Sequence, residues 1–144
     1  MANVIPDSFK TDLLKGTFNF DSSGGSTFKL ALYTDISGLT TSTTAFTTTN
    51  EVSTSGTSYS SGGNTLTNNG VAVSSNIAFV AFADLTFSSV TLSAVGALIY
   101  KSGGSNEAVL VLDFGGTKTA TNGDFVVQFP TASSSAAIIR LGNA

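Results

Sequence analysis

The chain has 144 residues, of which 41% are hydrophobic and only 10% are charged, and its net charge is −3. It contains no histidine, cysteine or tryptophan, the first two of which are the usual general bases, nucleophiles and transition-metal ligands near neutral pH. This composition argues against an enzyme and excludes a disulfide framework.

Residues 6–16 carry the one helical pattern of the sequence. Asp7 is a possible helix cap, Phe9, Leu13 and Leu14 recur at helical spacing, and Gly16 ends the pattern. We expect one short helix whose apolar face docks on a sheet or on a neighbouring subunit. The predicted organisation is an N-terminal arm and helix over residues 1–16, followed by a single β-sandwich domain over residues 17–144.

From residue 17 the period of the apolar residues changes to two. Phe18 and Phe20 alternate with polar residues, a turn is predicted at residues 22–26, and alternation resumes from Phe28 to Tyr33. This predicts a strand, a turn and a second strand. The threonine-rich residues 35–64 are predicted to form a long excursion with short edge strands, which orders on assembly and contacts a partner.

Two Asn-Gly dipeptides, Asn69-Gly70 and Asn122-Gly123, have the residues of a type I′ hairpin turn. The apolar residues 109–112 predict a central strand covered on both faces. Further strands are predicted at residues 77–83, 86–92, 95–100, 108–114 and 136–141. About nine or ten short strands at this spacing predict an all-β fold, an antiparallel β-sandwich or jelly roll with one short N-terminal helix.

Carboxylates are the remaining candidates for catalysis. Asp84 with Asp113, or Glu51 with Glu107, would have to face each other across a sheet to act as a glycosidase pair. Asp84 and Asp113 each fit better as strand-end residues that accept hydrogen bonds from turn amides. The tripeptide that begins at Asp113 also occurs in protein kinases, but the other kinase motifs are missing. We therefore expect no catalytic residues.

No cofactor or metal site is expected. Asp21, Asp35 and Asp124 lie in predicted loops, and no segment has the alternating acidic pattern of a calcium-binding loop. A sugar site would use Tyr33, Tyr59 and Tyr100 with Asn50, Asn64 and Asn106. Half-buried packing is the favoured interpretation of these tyrosines.

The six basic residues are scattered singly along the chain. Binding to nucleic acid requires clustered lysine and arginine, as does binding to an anionic membrane surface, so neither partner is expected. The longest apolar run, residues 77–83, is far too short for a membrane-spanning helix. The first residues carry no pattern of a secretion signal, so we expect folding in a cytoplasm.

Several segments together resemble a group of small proteins encoded by tailed bacteriophages. They are residues 29–34 (KLALYT), 47–53 (TTTNEVS), 59–63 (YSSGG), 96–100 (GALIY), 111–115 (VLDFG) and 137–140 (AIIR). The resemblance implies a virion structural protein, made in the host cytoplasm, that contacts the major capsid protein or another virion protein. The favoured interpretation is a decoration or cement protein on the capsid, acting as a homo-oligomer with a trimer as one candidate form.

The alternative is a tail or fibre-associated protein that binds a host receptor or glycan. For either role we expect partner contacts from the apolar helix face and from the 35–64 segment. The candidate contact residues are Phe9, Leu13, Leu14, Phe46 and Tyr59.

Overall fold

The structure is a computed structural model that describes residues 2–143. Helix α1 is Asp7–Leu14, and the seven strands are β1 (Phe28–Tyr33), β2 (Asn64–Thr65), β3 (Asn68–Ser74), β4 (Ile77–Phe82), β5 (Leu85–Lys101), β6 (Ala108–Val127) and β7 (Arg140–Leu141). A four-stranded sheet has the order β2-β1-β5-β6, and a three-stranded sheet has the order β3-β4-β7. All strand pairs are antiparallel. The predicted all-β, sandwich-like fold with one short helix is confirmed.

A cluster of phenylalanine rings forms the centre of the main core. Phe28 on β1 stacks on Phe20 with ring centroids 4.6 Å apart, and it meets Phe82 on β4 edge-on at 5.9 Å. The core therefore lies between the two sheets. A second apolar cluster covers the other face of the four-stranded sheet, where Tyr33 and Leu98 pack against Ile36 and Leu39 of the 35–64 segment.

Helix α1 is packed into the main core. Pro6 occupies the cap position and Asp7 lies in the first turn, where it forms an ion pair with Lys10 instead of capping the helix. Phe9 is only 2% exposed, and its ring lies 4.9 Å from that of Phe18. Residues on both sides of the predicted boundary at residue 16 thus share one core.

The first predicted strand is wrong. Phe18 and Phe20 are buried, but they lie in an irregular segment that precedes β1. Ser26 donates its backbone N–H to the carbonyl of Asn19 at 2.7 Å, which closes this segment into a loop over the core. Alternation of apolar residues identified the buried side chains correctly, because a loop can bury every second residue as a strand does.

Neither Asn-Gly dipeptide forms a hairpin turn. Gly70 has a φ of 95° and lies at a β-bulge inside β3, and Asn122, with a φ of 47°, lies inside β6. The turn between β3 and β4 is formed by Ser75 and Asn76, with φ angles of 52° and 65°. Positive φ angles occur at bulges as well as at turns, so the dipeptides marked irregular points of continuous strands.

Strands β5 and β6 form one long hairpin, which replaces the shorter strands predicted at residues 86–92, 95–100 and 108–114. They pair from Leu85 opposite Val127 to Tyr100 opposite Ala108, with four register shifts along the way. The bulges absorb residues that interrupt the alternating pattern, so the ladder continues past the predicted breaks. At the C-terminal end, the predicted strand 136–141 is reduced to β7.

Residues 109–112 are buried, as predicted for a covered strand. Their strand is last in the order of its sheet, not central, but the N-terminal arm lies along its outer edge. Val4 and Val111 exchange two backbone hydrogen bonds of 2.9 and 2.8 Å. The arm therefore protects part of the edge of β6.

Candidate functional site

The five residues predicted to contact a partner have different environments. Phe9 and Tyr59 are buried in the main core, so in this fold they are not available to a partner, contrary to expectation. Leu13 is half-buried against the core, and Phe46 is half-buried in a stack on Tyr100 with ring centroids 4.7 Å apart. Leu14 alone is highly exposed, at 85%.

The 35–64 segment is anchored by Glu51. Its Oε1 accepts hydrogen bonds from the hydroxyl of Tyr59 at 2.8 Å and from the backbone N–H of Gly62 at 2.6 Å. Its Oε2 accepts one from the hydroxyl of Ser61 at 2.8 Å. The Tyr59 hydroxyl in turn accepts the backbone N–H of Leu32 on β1 at 3.0 Å. This network fixes the segment to the sheet. The short edge strands predicted in the 35–64 segment are reduced to isolated bridges at Ala45 and Glu51, apart from Asn64, which begins β2.

The other two tyrosines donate their hydroxyls to backbone carbonyls of the 35–64 segment. The hydroxyl of Tyr33 bonds to Thr47 at 2.5 Å and that of Tyr100 bonds to Gly62 at 2.7 Å. Burial, with a smaller contribution from the negative charge of Glu51, raises the pKa of both phenols, and burial is also the main cause of the raised pKa of Tyr59. These tyrosines hold the fold together and offer no exposed face on which a sugar could stack.

The other three carboxylates considered for catalysis accept hydrogen bonds from backbone N–H groups. Asp84 Oδ1 accepts the N–H of Phe129 at 2.8 Å. Asp113 Oδ1 accepts the N–H of Gly115 at 2.8 Å, and this bond is the largest cause of the lowered pKa of Asp113. Glu107 Oε1 accepts the N–H of Ser105 at 3.1 Å. Backbone bonding is the role that the sequence favoured for Asp84 and Asp113.

Two of the aspartates predicted to lie in loops also accept backbone hydrogen bonds, although Asp124 lies within β6. Asp35 Oδ1 accepts the N–H of Ser37 at 2.8 Å, which lowers the pKa of this carboxyl, and Asp124 Oδ1 accepts the N–H of Ser89 at 3.3 Å. Within residues 2–143, no three side chains of the metal-binding types are grouped so that they could hold an ion. In the same part of the chain, no helix has the length and apolar character needed to cross a membrane.

An apolar groove of about 270 Å³ lies between α1 and the three-stranded sheet. Its lining includes Leu13, Phe18, Phe20, Val71, Val80 and Leu141. The one charged residue in the lining is Asp21. A groove with this lining suits an apolar side chain of another molecule better than a polar ligand.

Two of the exposed apolar side chains line the apolar groove, and two others are close to lining residues in the sequence. Large hydrophobic residues that are exposed in the described chain are Leu14, Val71, Val73, Val126 and Leu141. Val71 and Leu141 line the groove, Leu14 follows the lining residue Leu13, and Val73 lies two residues beyond Val71 on β3. An apolar groove with exposed apolar side chains in its lining is typical of a site of protein contact. Leu13 and Leu14 were predicted from the sequence as contact residues. Val71 and Val73 on β3 were not, because residues 69–70 were assigned to a hairpin turn.

A second depression, of about 540 Å³, lies on the far part of the β5–β6 hairpin. Its lining mixes Phe114 and Phe125 with Lys118, Asp124 and Gln128. None of the residues predicted to contact a partner lies in it. The apolar groove is therefore the better candidate for a docking site.

Comparison with models of protein families, with curated proteins and with solved structures gives no match for this chain.

Proposed function

We propose that this chain is a structural protein of a tailed-bacteriophage particle, which decorates the capsid and stabilises it by binding the major capsid protein at the junctions between capsomers. The resemblance of six sequence segments to small phage proteins supports this role. The sandwich-like fold and the low charge of the chain are compatible with a component that is packed in many copies on a particle surface.

The observation that carries the proposal is the apolar groove together with the exposed side chain of Leu14. A leucine that is 85% exposed gains little from packing in the isolated chain, whereas its burial against another protein is favourable by about 1.5–3 kcal/mol. The lining of the groove is apolar except for Asn19 and Asp21. An apolar side chain of the capsid protein fits this surface.

The same surface explains how such a contact would work on a particle. Each copy that bridges two capsid subunits adds buried apolar area, which must be exposed again before the subunits can separate. Because charged groups contribute little to the groove, attachment depends weakly on salt concentration. Detachment by a few-fold change in salt would argue against the groove as the contact.

The test is the copy number of this protein on purified particles, measured by quantitative mass spectrometry against the major capsid protein. Leu14→Lys places a charge beside the groove and should lower occupancy, whereas Val126→Lys changes a 49% exposed valine on β6 and should leave it unchanged. A wild-type ratio of a few copies per particle would favour the tail, and absence from particles would refute a virion role.

A point substitution is preferable to removal of residues 1–16. Deleting that segment removes Phe9 from the main core and Val4 from the edge of β6. Loss of occupancy by the deleted chain would then report unfolding instead of a lost contact.

The alternative role, glycan binding at the tail, was expected to use exposed tyrosines. Tyr33, Tyr59 and Tyr100 are all buried, so no specific feature of the fold favours this role. A glycan array probed with the purified chain tests it directly, since the alternative requires saturable binding to a host surface sugar.

A further inference from the structure

Strand β3 has an open edge. It is the outer strand of the three-stranded sheet and is hydrogen-bonded to β4 on one side only. Its residues from Val71 to Ser74 are all exposed, with Val71 at 51% and Val73 at 70%. An exposed edge with apolar side chains is a template for pairing with another strand.

The ladder between β3 and β4 shows which backbone groups face the open side. Val71 lies opposite Val80, and Val80 donates its N–H to the carbonyl of Ile139 on the far side of β4. The pair of Val71 and Val80 is therefore one that exchanges no hydrogen bonds, so the N–H and C=O of Val71 point away from β4. Alternation along the strand gives Val73 the same orientation.

Other strand edges of the fold are short, partly covered or charged, since the part of β6 beyond Val111 carries Lys118 and Asp124. Strand β2 and strand β7 have two residues each, and Val4 bridges to the outer edge of β6 at Val111. The beginning of β3 is also covered, because Asn68 Nδ2 donates to the carbonyl of Phe20 at 2.9 Å. Residues 71–74 lack the lysine, proline or inward-pointing charge that usually protects an edge.

We propose that β3 pairs with β3 of a second copy of this chain, antiparallel and about a two-fold axis through Ala72. In this register Val71 of each copy lies opposite Val73 of the other, and the two alanines at position 72 lie opposite each other. The outward N–H and C=O groups of Val71 and Val73 then meet their counterparts as hydrogen-bonded pairs. Every outward group of the central segment finds a partner in the identical strand.

Charge does not oppose a second copy at this edge. Each chain carries a net charge of −3, so two copies repel each other over most approaches. Residues 52–83, which include all of β3 and β4, contain no charged side chain. Two copies therefore approach through this edge without like charges facing each other across the paired strands.

The pairing would join the two three-stranded sheets into one and place the apolar grooves of the two copies side by side, since Val71 belongs both to the edge and to the groove lining. The inference rests on the proposed assembly role for its biological meaning. Its test uses the purified chain alone, so failure of the pairing and failure of capsid binding are distinguishable.

The first experiment measures the mass of the purified chain by sedimentation equilibrium over a range of concentrations. We expect a dimer for the wild type and for the control Val126→Lys. The double variant Val71→Lys, Val73→Lys places like charges opposite each other and should raise the dissociation constant about tenfold or more. Val71→Lys with Val73→Glu places opposite charges across the axis and should retain the dimer.

Circular dichroism and thermal melting confirm that each variant is folded before its mass is interpreted. A monomeric wild type at all concentrations would overturn the proposal. So would a dimer or trimer whose mass is the same in the like-charge variant. Loss of the dimer in the opposite-charge variant, when that variant is folded, would overturn the two-fold register.

A crosslink tests the register independently, because the natural chain has no cysteine. In the proposed pairing the Cα atoms at position 72 are about 4.5 Å apart, which lies within the range for a disulfide. Ala72→Cys should form a covalent dimer on mild oxidation, seen on a non-reducing gel, whereas Val126→Cys should not. Equal crosslinking of the two variants, or none in Ala72→Cys, would refute the two-fold pairing.

Discussion

The hydroxyl of Tyr59 links Glu51 to strand β1: it donates to Glu51 Oε1 at 2.8 Å and accepts the backbone N–H of Leu32 at 3.0 Å. Backbone bonds flank this link, since Val52 donates to the carbonyl of Leu32 and Thr34 donates to that of Asn50, each at 2.9 Å. A segment rich in serine and threonine is thus held to the sheet at one well-connected point. The segment was expected to order only on assembly, but in the isolated chain it is already fixed here.

Removal of the Tyr59 hydroxyl should destabilise the fold. Tyr59→Phe keeps the buried ring but leaves the N–H of Leu32 without its acceptor, which costs about 1–3 kcal/mol in the free energy of unfolding. The matched control is Ser61→Ala, which removes an exposed donor from the same carboxylate and should change that free energy by less than about 0.5 kcal/mol. Urea denaturation measures both, and equal losses would contradict the role of Tyr59.

Gly63 should tolerate no side chain. Its φ is +74°, and a Cβ at this position would overlap the backbone carbonyl of Leu30. Gly56 has a similar φ of +71° with open space around it, so it is a matched control. We expect Gly56→Ala to cost about 1 kcal/mol through strain alone and Gly63→Ala to cost more than about 3 kcal/mol or to prevent folding. Equal stability of the two variants in a denaturant titration would show that the segment does not lie this close to β1.

Alkaline pH should unfold the protein through its tyrosines. Burial raises the pKa of Tyr33, Tyr59 and Tyr100 above the ordinary value of 10.0, whereas the unfolded chain titrates near that value. Above about pH 10 the unfolded chain therefore binds fewer protons than the folded one, and the free energy of unfolding decreases as pH rises. Below that pH these groups are protonated in both states and their contribution is constant.

Ultraviolet absorbance of tyrosinate measures this directly, because the chain has three tyrosines and no tryptophan. Ionisation should coincide with the loss of structure seen by circular dichroism. The Tyr59→Phe variant should lose stability with pH less steeply, because one of the three groups is gone. Ionisation of all three tyrosines near pH 10.0 in a folded chain would contradict their burial.

Phe9 and Leu14 lie on the same helix, but substitutions at the two positions should affect stability to very different extents. Phe9→Ala removes a buried ring from the main core and should cost about 3–5 kcal/mol in the free energy of unfolding. Leu14→Lys should change that free energy by less than about 0.5 kcal/mol, because the leucine is exposed. Thermal or urea unfolding checks both values. A large loss of stability in Leu14→Lys would mean that the helix end packs more closely than described.

The sequence predicted the class of fold and the helix better than it predicted the strands. Phe9, Phe18 and Phe20 were identified as apolar positions by their spacing, and all three are buried. Spacing alone does not distinguish a strand from a loop that packs on the core, which is why the strand at Phe18 was wrong. Long strands such as β5 and β6 were divided because each bulge disrupts the alternation on which the prediction depends.

The candidate site was predicted only at its helical end. Leu13 and Leu14 stand out in a short amphipathic helix, whereas Val71 and Leu141 become groove residues through contacts between distant parts of the chain. Tyr59 was assigned to a partner surface because tyrosine is common at interfaces. Its burial depends on the hydrogen bonds to Glu51 and Leu32, which no local pattern specifies.

Replacement of asparagine by glycine should have opposite effects on stability at Asn76 and at Asn69. Asn76 has a φ of 65° in the turn between β3 and β4, so Asn76→Gly relieves strain and should stabilise the fold by about 0.5 kcal/mol. Asn69 is a strand residue that does not have a positive φ, so Asn69→Gly should destabilise it by about 0.5–1 kcal/mol. Denaturant titration of both variants gives the signs. A hairpin that turned at residues 69–70 would show the reverse, because position 69 would then be the one that gains from glycine.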